Sequence, residues 1–111
     1  MESVDNIKLI RESVLEDAKQ CVCKDRNNIY GGPEDNFSCI AKFWNTYLNN
    51  LGNDVSLSPK DVAIMMTLFK LARLITANSY HRDSWVDAIG YLACGSEIDA
   101  MSNSANEGGE S

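Results

Sequence analysis

Apolar residues recur along this chain at helical spacing, and nowhere at the alternation of a strand. Ile7, Ile10, Val14, Ala18 and Cys21 lie three or four apart and predict a helix over about 6–23. Phe37, Ile40, Ala41, Trp44, Tyr47, Leu48 and Leu51 form a wide apolar face, predicting a second helix over about 34–51. Gly52 follows as a stop. Ser58-Pro59-Lys60-Asp61 opens a third helix over about 59–77, with Ser58 at the N-cap, Pro59 in the first turn and Asp61 at the capping-box position. A fourth helix is predicted over about 83–95, with Trp85, Ala88, Ile89, Leu92 and Ala93 on its buried side. Gly90 in its middle would let another helix or a ligand come close. The run Asp54–Leu57 is too short to build a sheet.

The third helix is apolar on almost every face and reads as a core helix. It nonetheless carries Lys70 and Arg73, three apart, and the fourth helix carries Asp83 and Asp87, four apart. A turn near Asn78-Ser79 would bring Lys70 level with Asp87 and Arg73 level with Asp83. Charges set into an apolar hairpin are costly to bury. The cluster therefore reads either as a phosphate-binding site, with the carboxylates on a divalent cation or a sugar hydroxyl, or as a structural ion-pair network.

Other candidates carry less. In the loop Lys24–Pro33, Arg26 could meet a phosphate and Tyr30 could stack on a base, or the loop could simply join two helices. Asp61 could ligate a metal, but the capping box accounts for it. His81 reads as a capping or surface residue. Cys21-x-Cys23 is too closely spaced for a zinc knuckle. Glu34-Asp35 reads as a helix N-terminus.

The 111 residues amount to about one domain, of ordinary globular composition, with 44% hydrophobic and 23% charged residues. The net charge of −6 is uneven, because residues 95–111 hold four acids and no base. That balance argues against a duplex nucleic acid partner. Residues 101–111 are predicted to be a disordered acidic tail. No apolar run is long enough for a membrane span or a signal peptide, so a cytoplasmic protein with reduced thiols is expected.

Asp25-Arg26, Tyr30-Gly31, Pro33, Asn36-Phe37, Ile40-Ala41, Trp44, Asp61-Val62-Ala63, Lys70, Ala72-Arg73, His81, Asp83, Asp87 and Gly90-Tyr91 together resemble a family of small phage and prophage proteins. The resemblance runs from about Asp25 to Cys94. That family is distantly similar to the all-α nucleoside triphosphate pyrophosphohydrolases of the MazG type, which implies an oligomeric helical bundle and nucleotide handling in a bacterial host cell. Those enzymes carry E-E-x-x-E on one helix and E-x-x-D on the next. Here the first cluster keeps only Asp61, with Met65 at the third acid, and Ser84 stands at the place of the expected Glu. The expected protein is thus an all-α, MazG-like four-helix domain, a homo-oligomer that captures a nucleotide or cyclic-nucleotide signal without hydrolysis. Arg26, Tyr30, Lys70, Arg73, His81, Asp83 and Asp87 are its expected ligand residues, with no cofactor or with magnesium on Asp83 and Asp87. The alternatives are a magnesium pyrophosphohydrolase using Asp61, Asp83 and Asp87, and a purely structural interaction module.

Overall fold

The computed structural model describes residues 4–25 and 32–107, with side chains placed for 9–23 and 32–103. Helix α1 spans Val4–Gln20 and runs on into a π-helical turn, Cys21–Asp25. Helices α2 (Pro33–Asn50), α3 (Pro59–Thr76) and α4 (Arg82–Glu107) follow. Among the described residues there is no strand, as the spacing predicts.

The ends of α2 and α3 form as their sequences dictate. Gly52 adopts φ 91°, a left-handed conformation open to glycine, and its N–H donates to Asn49 O at 3.0 Å. At the start of α3, Asp61 N–H donates to Ser58 Oγ and the Asp61 carboxylate accepts from Ser58 N–H, closing the capping box. Asn45 holds the intervening loop, giving and taking hydrogen bonds at the main chain of Leu57.

Helices α3 and α4 form an antiparallel hairpin whose register is pinned by three contacts: Lys60 with Asp99, Ala63 with Gly95, and Lys70 with Asp87. The core lies where α2 crosses this hairpin, with Phe37, Ala41, Val62, Ala63, Cys94 and Ile98 buried together. Helix α1 covers the other side of α4 through Val14, Ala18 and Val86. Arg82 donates to Asp17 and Ser13 at 2.6 and 2.7 Å, tying the two helices at the surface. Gly90 is a crossing point, since a Cβ there would lie 3.1 Å from Val22 Cγ1.

Two expectations are corrected. The fourth helix does not end near Gly95 but runs to Glu107, taking in the first part of the expected tail. Gly95 is a contact rather than a stop: a Cβ on it would sit 3.0 Å from Ala63 Cβ. Past it, Ile98 is buried and Asp99 meets Lys60, so the hairpin holds the added turns. The second correction concerns α3, which is not buried all round. Within this one chain Ile64, Leu68, Phe69 and Ile75 stay exposed, Ile75 by 82%. Only the faces of α3 toward α2 and α4 are covered.

Candidate functional site

Three helical stripes meet in the core, and each turns from apolar to charged along its helix. On α4 the stripe is Ile98, Cys94, Tyr91 and then Asp87, at steps of four, three and four residues. On α3 it is Ala63, Thr67 and then Lys70. On α2 it is Trp44, Ala41, Phe37 and then Glu34. The Phe37 and Tyr91 rings meet at 6.2 Å between centroids. One turn before Tyr91 on α4 stands Asp87, and it meets Lys70 on α3.

Lys70 Nζ lies 3.0 Å from Asp87 Oδ2. The lysine side chain is only 14% exposed and the aspartate 39%, so the pair sits half in the core and half in water. Glu34 Oε2 is buried and has no hydrogen-bond partner among the described residues. One turn beyond Lys70, the Arg73 guanidinium lies 5.6 Å from the centre of the exposed Phe69 ring, and Lys70 Nζ lies 5.7 Å from it. No carboxylate among the described residues pairs with Arg73.

The expected Lys70–Asp87 pairing is therefore present, and the expected Arg73–Asp83 pairing is not. The register that sets Lys70 against Asp87 brings Ser84 opposite Arg73, and Ser84 is the buried residue of that turn. Asp83 lies one residue, roughly 100°, round the helix and faces solvent. His81 begins α4: its carbonyl accepts from Ser84 N–H at 3.2 Å, and its Nδ1 lies 2.7 Å from Ser84 Oγ. Asp61 is nine residues, about 13 Å of helix axis, from Lys70. It caps α3 and does not join Asp83 or Asp87. Among the described residues no three His, Cys, Asp or Glu side chains are grouped to hold a metal ion. Arg26 and Tyr30 lie outside the described residues.

Glu34 stands in the first turn of α2, as the sequence predicts, and its Oε2 is buried there. Its spacing to Phe37, Ala41 and Trp44 continues the stripe that faces the core. A separate groove of about 340 Å³ lies between α1 and α4. It is lined by Ile10, Val14, Leu15, Tyr80, Trp85 and Ile89 with Arg11, and by none of the expected site residues.

Fold and site together define an all-α domain whose α3–α4 hairpin carries a half-buried Lys70–Asp87 pair with Arg73 one turn beyond. The chain belongs to the family described as Domain of unknown function (DUF6378), whose model matches residues 13–99. It is 41% identical over 83 residues to the Gene 55 protein of Mycobacterium phage D29, covering 75% of this chain and 51% of that protein. It is 38% identical over 79 residues to the Gene 55 protein of Mycobacterium phage L5, covering 71% of this chain and 47% of that protein. The chain thus spans about half the length of the curated relatives it matches. No solved structure matches it. No helix among the described residues is long and apolar enough to cross a membrane.

Proposed function

We propose that the protein binds a nucleotide or nucleotide-derived signal beside the Lys70–Asp87 pair of the α3–α4 hairpin and holds it without hydrolysis. The observation that carries this reading is Arg73: an exposed guanidinium with no carboxylate partner among the described residues, held beside an exposed aromatic ring and one turn from a half-buried Lys70. A planar cationic fork of this kind suits phosphate oxygens. The resemblance to MazG-type pyrophosphohydrolases and the phage origin of the relatives support capture of a host nucleotide as the biological task. Capture is favoured over turnover because Asp61 serves the helix cap and stands far from Asp83 and Asp87. Hydrolysis by magnesium needs carboxylates that converge on one ion.

The exposed apolar side chains of α3 favour self-association, with this helix covered by a second copy. The test of binding is titration calorimetry with nucleoside triphosphates and cyclic nucleotides, with and without magnesium. Arg73→Ala should lose affinity at unchanged stability. Lys70→Ala should lose both, since it leaves the half-buried Asp87 unpaired. Affinity unchanged in Arg73→Ala, or magnesium-dependent release of pyrophosphate by the wild type, would overturn the reading.

A further inference from the structure

The groove between α1 and α4 takes no part in the site described above. Its volume of about 340 Å³ falls within the range of small-molecule sites, which are mostly apolar with few polar groups. Val14 is buried and Ile89 half-buried, while Leu15, Tyr80 and Trp85 stay exposed around the hollow. The walls are apolar almost throughout, so water in the groove finds few partners and is readily displaced by an apolar group. Arg11 is the one charged residue of the lining. Against such walls it contributes its methylene stem and carries its guanidinium outward to the rim. That guanidinium has no acid to meet. The residues three and four places away are Ile7, Lys8, Val14 and Leu15, and none of the ion pairs among the described residues includes it. Arg82, by contrast, is taken up by Asp17.

We propose that the α1–α4 groove binds a small amphipathic anion, an aromatic or aliphatic carboxylate or sulfonate. Its apolar body fills the hollow against Val14, Trp85 and Ile89, and its negative charge meets Arg11 at the rim. Apolar contact supplies most of the affinity, and the single cation selects charge and orientation. The size of the groove favours a small molecule over a protein. A standard protein interface takes about 20–30 residues from each side, and seven line this groove. The proposal does not depend on the nucleotide reading, because no residue of that site lines the groove.

The test titrates the full chain with two fluorescent probes of one shape, anilinonaphthalene sulfonate and N-phenylnaphthylamine, which lacks the sulfonate. The wild type should bind the sulfonate at one site per chain. Arg11→Gln should weaken the sulfonate tenfold or more and leave the neutral probe within twofold. Leu15→Glu, at an exposed position on the groove wall, should lose the sulfonate altogether. Circular dichroism and thermal unfolding establish that both variants are folded. Sulfonate affinity unchanged in Arg11→Gln takes the charge out of the site and overturns the proposal. Binding that survives Leu15→Glu lies on another apolar surface, such as the exposed face of α3, and overturns it too. So does a wild type that binds neither probe. A molar mass in light scattering that falls on Leu15→Glu makes the groove a contact between copies and equally overturns the proposal.

Discussion

Substituting Gly95 by alanine tests the hairpin on which the site is built. A Cβ at this position would stand 3.0 Å from Ala63 Cβ. Neither atom can rotate away, because each is fixed to its helix backbone, so the helices must part by several tenths of an ångström. Overpacking of this kind costs about 1–3 kcal/mol. Alanine returns about 1 kcal/mol through helix propensity. The net expectation is a loss of about 0–2 kcal/mol, centred near 1, which for a chain of this size moves the melting temperature by about 4–8 °C per kcal/mol. Urea and thermal unfolding of Gly95→Ala measure it. A helix-stopping Gly95 could give a similar single loss, so the deciding measurement is the cycle with Ala63→Gly. Removing the Ala63 methyl clears space for the new one, and the double variant should exceed the sum of the singles by about 1 kcal/mol. Additive singles, or a Gly95→Ala protein more stable than wild type, would refute the close crossing. Gly90→Ala is the control: its Cβ would meet Val22 Cγ1 at 3.1 Å, the end of a side chain that can yield, and its loss should be the smaller.

Two further outcomes follow from the same geometry. Asp61→Ala should cost about 1 kcal/mol through the lost capping box, seen in urea unfolding, and should leave nucleotide affinity unchanged; a loss of affinity at full stability would return Asp61 to the site. Ile75→Asp, at a position 82% exposed in the single chain, should leave the monomer fold intact but lower the molar mass measured by light scattering at micromolar concentration. A wild type that is already monomeric there would refute self-association through α3.

The four helices were legible because each declares itself locally. The Ser58–Asp61 box and Gly52 mark ends that the structure keeps to within a residue or two. Lys70–Asp87 was legible because a short turn fixes how two helices fold back. What was not legible needed a third helix or the exact register. Gly95 looks the same in sequence whether it stops a helix or lets another pass, and only Ala63 across the hairpin decides it. Arg73 and Asp83 miss each other by one residue of register, which a guessed turn position cannot resolve. Glu34 was set aside because an acid in the first turn of a helix is already explained by the helix dipole. Its membership in a core stripe shows only when that stripe is followed to its end.

The Lys70–Asp87 pair is not explained by stability. A half-buried ion pair such as Lys70–Asp87 can often be replaced by apolar side chains at no loss, and sometimes with a gain. The stripes themselves supply what would be needed: Phe37, Tyr91, Cys94 and Ile98 show that these same faces accept apolar residues one turn away. An ion-pair network built only to join helices would also leave no member over. Here Arg73, one turn from Lys70, is left with no carboxylate partner among the described residues and stands beside the Phe69 ring. An unmatched guanidinium beside an ion pair is a group free to meet an anion. The nucleotide proposed above would meet it through its phosphate oxygens.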